Sequence, residues 1–541
     1  MRFFIRHITD KIFTILTVLS VIMLVAILAV ILVPMLRKGL SAIVFNGTIE
    51  FRKMQLDLFS RGDIDELKNE DIRSRLYRNK IYETIESFKQ NIDSETLSDK
   101  AGVIYRNFGK ELQRKNIKGA EYQKLRSLSR ELRDKLQAVF KSSDKKFIQE
   151  NISDVLKFKN DIAFKDTSID GLFVLAEDFA SDIEHIDLSR RQQYAASLKE
   201  LENIITKLLG PNPSLPVPAL KMDRYGATRR DIAEKLLNRL LWLEQWQQDS
   251  PGKPMKRVIT PRAELFAGTE IEPLFNYIRE NLDEILVFKP AFYWQYFIDD
   301  STPGHYFGGV WPEILGTVFL TLAAMIFVFP IGIISAAYLA QCQSDNLIIK
   351  IIRMAINTLA GVPSIVFGLF GLAFFVLYLM PLFGGPSKPC ILTAALTLAV
   401  LTLPVMIRAS EEAIRSVPQS YVEASLGLGA GKLTTFISVI LPAAMPGILT
   451  GIILSVSRVA GETAPILFTG AIAFGPTPKS IFDPTRTLSY GSYDIAIGDK
   501  LAALVPHNQY GMVATLIMLV FCLNIAAIIM RAKISRKLKG H

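Results

Sequence analysis

The chain has 541 residues, of which 50% are hydrophobic and 21% are charged, and its mean hydropathy is +0.27. These values exclude a disordered or collagen-like chain, which would carry too few apolar residues. The three cysteines lack the spacing of a zinc ribbon or a disulfide framework, and the five histidines are scattered, so we predict no metal site. The composition indicates a membrane part joined to a large water-soluble part.

The net charge of +10 is unevenly distributed along the chain. Residues 39–307 carry equal numbers of basic and acidic side chains, so the whole excess belongs to the more apolar remainder. A basic protein can bind nucleic acid, but here the positive residues flank apolar segments, where they orient a protein in a bilayer. We therefore predict contact with membrane lipid and no nucleic-acid partner.

The first predicted element is an apolar run from Ile12 to Leu36 that contains no charged residue. The run is long enough to cross a bilayer, which takes about 20 helical residues. A cleaved signal peptide has a shorter core and a cleavage site with small residues, which Pro34–Lys38 does not provide. Residues 1–38 are therefore predicted to be an uncleaved signal anchor with a cytoplasmic N-terminus.

Residues 39–307 are predicted to form a water-soluble, mainly helical domain. Apolar residues recur there at steps of three and four, the spacing of one helix face. Three such stripes are present: Leu125, Leu128, Leu132, Leu136 and Val139; Tyr194, Leu198, Leu201, Ile205 and Leu208; and Ile232, Leu236, Leu240 and Leu243. The proline-rich stretch 210–218 breaks any helix and is interpreted as a hinge between two subdomains.

Beyond residue 307 the sequence becomes apolar again. Further spans are predicted in Val310–Ala340, in the second part of Leu347–Met380, and in Ile391–Ile407, Ala443–Ala473 and Gly511–Met530. The first part of Leu347–Met380 is interpreted as a short amphipathic cytoplasmic helix. With the signal anchor, the predicted fold class is an all-α integral membrane protein with six transmembrane helices. The large, mainly helical insertion lies between the first and second of them.

Alternation of the six spans places both termini in the cytoplasm and residues 39–307 outside it. The basic residues agree, because the short outer loops carry few of them: Lys388, Lys479, Arg486 and Lys500. Residues 308–541 are predicted to form the membrane domain, with a long cytoplasmic loop at 409–442.

The segment Gly427–Lys432 has the composition of a phosphate-binding loop. Such a loop needs a glycine five residues before Gly431 and a Ser or Thr after the lysine, and the sequence has Leu426 and Leu433 there. We therefore predict that the chain binds no ATP, needs no cofactor and has no catalytic residues.

The same loop carries a more specific pattern, which resembles the EAA loop of ABC-transporter permeases. The residues that match are Glu423, Ala424, Gly429, Leu441 and Pro442. Ser425 stands in place of the second alanine and Val439 in place of isoleucine, and both are mild departures. The resemblance implies a short coupling helix over residues 420–431 that docks on a separate ATPase. Small residues permit a close approach, and a glycine permits a sharp turn. An ordinary amphipathic interfacial loop is the alternative.

Four further segments resemble the PstA-type permeases of phosphate ABC importers: Gly309–Gly316, Leu359–Gly371, Leu403–Glu412 and Gly447–Pro465. The likeness covers residues 309–531 and the first span. The insertion departs from the short form of the family and resembles the N-terminal extracytoplasmic extension of its long form. The resemblance implies an inner-membrane subunit that forms half of a pathway for inorganic phosphate. It further implies a second permease of the PstC type, two ATPase subunits of the PstB type and an extracytoplasmic phosphate-binding protein of the PstS type.

Two charges lie inside the predicted span Ala443–Ala473, where a charge is costly and usually marks a pathway or a partner. Arg458 and Glu462 are four residues apart and share a helix face, and a guanidinium suits phosphate oxygens. The alternative for this pair is a structural ion pair. Arg408, at the inner end of its span, lines the same route or anchors the helix by its charge. The resemblance implies that all three are functional positions.

Three other functions are open from the residues alone. The chain could import another oxyanion such as sulfate or molybdate, or form a channel that conducts without ATP. It could also be a membrane sensor whose 39–307 domain detects a signal. That domain could equally be a docking platform for the binding protein or for the cell envelope.

Overall fold

The structure is a computed structural model that describes residues 2–161, 163–165, 167–183, 190–213, 225–247, 255–341, 347–497 and 505–538. The chain divides into two compact units. The membrane unit comprises Met1–Phe45 and Phe292–His541, and the inserted unit comprises Asn46–Ala291. The chain therefore leaves the membrane unit after Phe45 and returns to it at Phe292.

The chain begins with helix α1 (Arg2–Leu40), which carries the basic residues Arg37 and Lys38 in its last turn. It then passes through strand β1 (Val44–Gly47) into the inserted unit. The helices of that unit, in order, are α2 (Ile49–Phe59), α3 (Ile64–Ile92), α4 (Ser94–Arg114), α5 (Ala120–Lys141), α6 (Lys145–Leu156), α7 (Asp170–Ile183), α8 (Arg191–Leu209) and α9 (Arg230–Leu241). The strands β2 (Trp242–Gln247) and β3 (Lys256–Pro261), the helices α10 (Glu272–Glu280) and α11 (Leu282–Leu286), and the strand β4 (Lys289–Phe292) follow.

Several helices of the inserted unit begin at a residue whose side chain caps the first turn. Thr48 accepts a hydrogen bond from the Phe51 amide at the start of α2. Asp63, Asp93 and Asp144 cap α3, α4 and α6 in the same way. Such caps satisfy amide donors that have no partner inside the helix, and each contributes about 1 kcal/mol. The polar residues between the apolar stripes therefore set where the helices start.

The predicted apolar stripes form much of the core of the inserted unit. In α8 all five residues of the stripe are buried, from Tyr194 to Leu208. In α5 the last three are buried, namely Leu132, Leu136 and Val139. Of the 210–218 stretch predicted as a hinge, residues 214–218 lie outside the described residues, and both flanks belong to the inserted unit.

The prediction of the third apolar stripe is wrong for its last residue, Leu243. Helix α9 ends at Leu241, and Leu243 lies in strand β2, where it pairs with Thr260 in an antiparallel hairpin. The two tryptophans of β2 and the β-branched residues of β3 favour the extended conformation over another helical turn. The short helical spacing from Leu240 to Leu243 was therefore overridden by pairing with a strand farther along the chain.

A buried ion pair links helices α2 and α3 of the inserted unit. Glu50 accepts a hydrogen bond of 2.7 Å from Nη2 of Arg78, and the two side chains are 2% and 4% exposed. Nζ of Lys53 lies 3.1 Å from the same carboxylate. Burial acts to raise the pKa of Glu50, but the attraction of Arg78 and Lys53 outweighs it, and the pKa lies below its usual value.

We predict that the inserted unit loses stability in acid through Glu50. A carboxylate with a lowered folded-state pKa contributes stability above its ordinary pKa of 4.5, and this stability is lost as the pH falls below that value. Glu50→Gln is expected to cost about 3–5 kcal/mol at neutral pH, because it leaves Arg78 buried without its charged partner, and to flatten the acid dependence. Urea unfolding of the full chain in detergent measures this through Trp242 and Trp246 fluorescence, with the other two tryptophans replaced by phenylalanine.

The control for this prediction is Glu234→Gln in helix α9. Glu234 pairs with Arg230 across four residues at 2.9 Å, but both side chains are about half exposed. This variant is expected to change the free energy of unfolding by less than about 1 kcal/mol. An acid dependence as steep in Glu50→Gln as in the wild type would contradict the assignment to Glu50.

The membrane unit continues with helices only, apart from turns and isolated bridges in its described residues. They are α12 (Trp311–Gln341), α13 (Leu347–Leu359), α14 (Ser364–Phe370), α15 (Met380–Leu382), α16 (Ile391–Arg415), α17 (Gln419–Gly427), α18 (Lys432–Thr435), α19 (Leu441–Gly461), α20 (Ala464–Thr469), α21 (Leu488–Ile497) and α22 (Pro506–Leu538). Two π-helical segments, Gly371–Leu379 and Phe436–Ile440, continue α14 into α15 and α18 into α19.

Six stretches of the described chain are long and apolar enough to cross a membrane, which confirms the predicted fold class. They are Lys11–Leu40, Trp311–Gln341, Ser364–Leu382, Ile391–Arg415, Lys432–Gly461 and Pro506–Arg536. The separate helix α13 also agrees with the sequence. The bounds of one predicted span, Ala443–Ala473, are wrong. This span begins earlier, at Lys432, and its helix stops at Gly461.

Helix α16 is the central helix of the membrane unit. It packs on α12 and α19, and about two thirds of the residues in its most apolar part are buried. Glycines allow this close packing, since a Cβ on Gly332 would lie 2.6 Å from Met406 and one on Gly451 would lie 2.9 Å from Ala409.

The first and last helices of the chain also pack together. A Cβ on Gly39 of α1 would overlap Ala514 of α22, and Lys38 lies over the ring of Tyr510 at 4.8 Å.

Candidate functional site

The predicted charge pair lies at the end of helix α19. This helix ends at Gly461, and Glu462 follows with an extended backbone, at φ −78° and ψ 125°. Nε of Arg458 lies 3.4 Å from Oε1 of Glu462, and the side chains are 34% and 21% exposed. The structure thus brings the two residues together at an accessible break between helices and not in the middle of one.

The break after α19, here called the elbow (Glu462–Thr463), follows from the local sequence. Gly461 stands at the last helical position, and Pro465 stands in the first turn of α20. Glycine weakens a helix, and proline cannot donate a helical hydrogen bond. Oγ of Ser489 donates to the backbone carbonyl of Glu462 at 3.3 Å, and so satisfies a group at the break.

The geometry of the pair suits an anion. A guanidinium offers five N–H donors in a planar fork, and the contact with Glu462 engages Nε. The other donors match two oxygens of a tetrahedral oxyanion. The carboxylate fixes the fork in one orientation and offers an acceptor to a protonated ligand oxygen.

Arg408 lies on helix α16 and is exposed. Helices α16 and α19 run antiparallel, with Ala409 opposite Gly451. This register places Arg408 about 9 Å from Arg458 along the helix axis, at a rise of 1.5 Å per residue. The structure therefore leaves Arg408 outside the pair, nearer to the end of α16 that leads into the 409–442 loop.

Of residues 420–431, predicted as one short helix, only residues 420–427 lie in a helix, α17, and none of the residues of α17 is buried. The amide of Ala430 donates to the Ser425 carbonyl and that of Gly429 to the Leu426 carbonyl, at 3.2 and 2.9 Å. Gly429 has φ +87°, a left-handed conformation that glycine adopts without strain. These features define a Schellman motif, which makes the sharp turn that the sequence predicts at Gly429.

The remaining positions of the EAA pattern surround this turn. Glu423 and Ala424 are exposed on α17, whereas Oγ of Ser425 lies 3.0 Å from Oγ1 of Thr435 on α18. The pattern ends with Leu441 and Pro442 in the first turn of α19.

Apolar side chains are exposed beside the turn. Leu428 is 90% exposed and Leu433 is 71% exposed. Exposed apolar side chains can mark a protein or membrane interface.

Sequence reasoning missed the ion pairs at the base of this loop. Oε1 of Glu411 lies 3.1 Å from Nη2 of Arg353 and 2.9 Å from Nη2 of Arg415. Arg353 also donates to the Leu339 carbonyl near the end of α12, at 2.9 Å. One carboxylate thus joins α12, α13 and α16. The four-residue spacing of Glu411 and Arg415 was the available indication of this cluster.

A second missed pair lies at the first turn of α12. The side chains of Glu313 and Arg486 are 0% and 2% exposed, and Nη1 of Arg486 lies 3.6 Å from Oε1 of Glu313. Arg486 lies in a loop, and its sequence predicted only that it is one of the few basic residues of the short outer loops. The available indication was Glu313 itself, the one charged residue in the apolar run 310–340.

Comparison with known families gives a match over residues 328–540. The matching family is described as binding-protein-dependent transport system inner membrane component. This range contains the elbow, Arg408 and α17, and it excludes the inserted unit.

Several curated proteins are similar to the chain. The probable ABC transporter permease protein YqgI of Bacillus subtilis is 33% identical over 249 residues, which cover 43% of this chain and 81% of that protein. The phosphate transport system permease protein PstA 1 of Mycobacterium tuberculosis is 32% identical over 245 residues, which cover 45% and 77%.

Among solved structures, the chain is similar to the MetNI methionine ABC transporter in inward-facing conformations. The likeness has 19% identity and a TM-score of 0.33 and covers 41% of this chain and 94% of that chain.

The six apolar helices found among the described residues, the family match and the curated relatives define the class as an ABC-transporter permease subunit of a cell's inner membrane. The chain belongs to the family of binding-protein-dependent transport system inner membrane components and, within it, to the PstA type. Members of this class are transport subunits and not enzymes, because ATP hydrolysis belongs to a separate subunit.

Proposed function

We propose that the chain is a permease subunit of an ATP-driven phosphate importer and forms half of its translocation pathway. The observation that carries the proposal is the Arg458–Glu462 pair, held at 3.4 Å at an accessible break in a membrane helix. The PstA-named relatives supply the substrate class, since several of them are phosphate transport permeases by name.

The elbow is the point at which this pathway contacts phosphate. Phosphate near neutral pH carries both a charged oxygen and a protonated one, so a cation beside a hydrogen-bond acceptor suits it better than a cation alone. Arg458 binds the charged oxygens, and Glu462 accepts from a protonated oxygen. Sulfate has no proton to donate at this pH, so the carboxylate repels it. Arg408 lies farther along the route and provides a second positive charge.

Helix α17 is the contact with the ATPase in this proposal. Its exposed face, with Glu423, Ala424 and the neighbouring Leu428, enters a groove on that subunit. The Schellman turn joins α17 to α18, which continues into α19, and the Glu411 ion pairs hold α16 to α13 and α12. Closure of the ATPase on α17 therefore moves these membrane helices together. Closing and reopening of the ATPase during each cycle of ATP hydrolysis then exposes the pathway alternately to the two sides of the membrane.

The partners and location follow from the same proposal. The chain works with a PstC-type permease, two PstB-type ATPase subunits and a PstS-type phosphate-binding protein. Both termini lie in the cytoplasm, and residues 39–307 lie outside it.

Labelled phosphate uptake by cells that lack the chain tests the proposal. Uptake is expected to disappear without the chain, to return with wild type and to be inhibited by arsenate but not by sulfate. Inhibition by sulfate or molybdate would favour an importer of those anions, and uptake without ATP would favour a channel. Normal uptake in the deleted cells, with no second importer present, would contradict the assignment.

Replacing Gly429 with valine is expected to uncouple the complex. A β-branched residue is strained at φ +87° by roughly 1–2 kcal/mol, which unwinds the turn after α17. We expect phosphate uptake to fall about tenfold, while ATPase activity no longer responds to the loaded binding protein. Gly119→Val in the inserted unit is the control, since Gly119 also has a positive φ, +74°, and a Cβ there meets no atom within 4 Å. Equal effects of the two substitutions would contradict a role for the turn.

A further inference from the structure

The buried polar cluster at the first turn of α12 has no part in the proposed pathway. Arg486 is its centre. Nη2 lies 2.7 Å from Oδ1 of Asp300, and Nη1 lies 3.1 Å from Oγ of Ser301 and 3.6 Å from Oε1 of Glu313. Ser301 in turn donates to Glu313 at 3.2 Å. The cluster therefore joins three parts of the membrane unit: the segment before α12, the first turn of α12 and the loop before α21.

The composition of this cluster does not favour a purely stabilising role. Among the described residues, Oε2 of Glu313 and Nε of Arg486 are buried and have no hydrogen-bond partner. A buried ion pair with unsatisfied atoms contributes little net stability, because desolvation of the two charges offsets their attraction. What such a pair does provide is one fixed geometry, since separating the charges inside the protein is very unfavourable.

The geometry that the cluster fixes is that of the turn 485–489. The Arg486 carbonyl oxygen lies directly against Gly316, where any Cβ would overlap it. The amide of Leu488 donates to Oγ1 of Thr317 at 2.9 Å, and Thr317 donates to the Glu313 carbonyl at 2.7 Å. The start of α21 is thus held against α12 by the Arg486 side chain and by the contacts that the turn makes with Gly316 and Thr317.

This turn leads directly to the elbow. Ser489 is three residues beyond Arg486, in the first turn of α21, and its Oγ donates to the Glu462 carbonyl. An unbroken series of contacts therefore runs from the Glu313 carboxylate through Arg486 and the turn to the backbone of Glu462.

We propose that Glu313 and Arg486 are positioning residues for Glu462. They hold the turn 485–489 in place, and Ser489 on that turn holds the elbow, so that the Glu462 carboxylate stays beside Arg458. The inference rests on the proposed function only in treating Glu462 as a pathway residue.

Modification of a cysteine at the elbow tests this inference without reference to substrate. In the purified complex, Glu462→Cys is introduced after the three native cysteines have been replaced by serine, and a charged methanethiosulfonate reagent is applied. Glu313→Gln is expected to raise the rate of modification about fivefold. This factor corresponds to the net free energy that one hydrogen bond contributes to holding the elbow. Ser489→Ala, which leaves the cluster intact, is expected to raise it by a similar factor.

Glu50→Gln in the inserted unit is the matched control. Glu50 and Arg78 are buried almost as deeply as Glu313 and Arg486, and they also form an ion pair between two separate elements of the fold. This variant is expected to destabilise the chain without changing the modification rate at residue 462. If Glu313→Gln fails to accumulate, Ser489→Ala carries the test. Rates unchanged in every variant that folds would overturn the inference.

Transport separates failure of this inference from failure of the proposed function. With Glu462 and the native cysteines in place, Glu313→Gln and Ser489→Ala are expected to raise the KM for phosphate uptake about fivefold and to leave the maximal rate within about twofold. If the wild type imports no phosphate but the modification rates change as expected, the proposed function fails and the positioning role stands. If the wild type imports phosphate and neither KM nor the modification rate responds, the positioning role alone fails.

Discussion

Replacement of Arg458 with alanine is expected to reduce phosphate uptake about 100-fold while the complex still assembles. The loss corresponds to roughly 3 kcal/mol of charge-assisted hydrogen bonding to the oxyanion. Assembly is spared because the side chain is 34% exposed and Glu462 is left where water can reach it, so folding loses less than about 1 kcal/mol. The measurement is the initial rate of labelled phosphate uptake, divided by the amount of chain in the membrane.

Two further variants make this result specific. Arg458→Lys keeps the charge but not the planar fork, so its uptake should lie between those of wild type and Arg458→Ala. Arg230→Ala removes the arginine from a comparable pair in the inserted unit, with a distance of 2.9 Å to Glu234, and should leave uptake unchanged. Normal uptake by Arg458→Ala would show that the Arg458–Glu462 pair is structural.

Gly316→Ala is expected to have the largest effect on stability of any single methyl group added to the membrane unit. Its Cβ would overlap the Arg486 carbonyl oxygen and Oγ1 of Thr485. Because both neighbours are backbone or buried, the turn must move away from α12 and pull Arg486 from Glu313. We expect a loss of about 3 kcal/mol or more, measured as a lower midpoint of thermal unfolding for the purified chain in detergent.

The control is Gly427→Ala on helix α17. A Cβ at Gly427 meets no atom within 4 Å, and alanine favours a helix over glycine by about 1 kcal/mol. This variant should unfold at the same temperature as wild type or slightly above it. A Gly316→Ala chain as stable as wild type would mean that the turn tolerates displacement, which would also weaken the positioning role of Arg486.

The sequence was sufficient for those elements whose pattern is local. Most of the membrane spans are largely apolar runs, and caps such as Asp63 and Asp93 stand next to the helices they start. The turn at Gly429 was predictable because glycine adopts, without strain, the left-handed conformation that a sharp turn after a helix needs. In each case the physical cause lies within a few residues of the effect.

The features that were missed depend on residues far apart in the chain. Leu243 left its helical stripe because β2 found a partner at Thr260. The hydrogen bond that satisfies the Glu462 carbonyl comes from the distant Ser489, and the buried charge of Arg486 is paired with Glu313, 173 positions earlier in the chain. The spacing of apolar residues along the chain does not reveal such distant ion pairs. An isolated glutamate in an apolar run, such as Glu313, indicates that a buried partner exists.

The packing of α1 against α22 has a consequence for the order of synthesis. Gly39 meets Ala514, and Lys38 meets Tyr510, so α1 completes these contacts only after α22, which is synthesised much later, has left the ribosome. At about 5–20 residues per second, α1 waits in the lipid for on the order of half a minute or more before α22 arrives. A nascent chain that stops before α22 therefore leaves the Gly39 face of α1 without this packing partner.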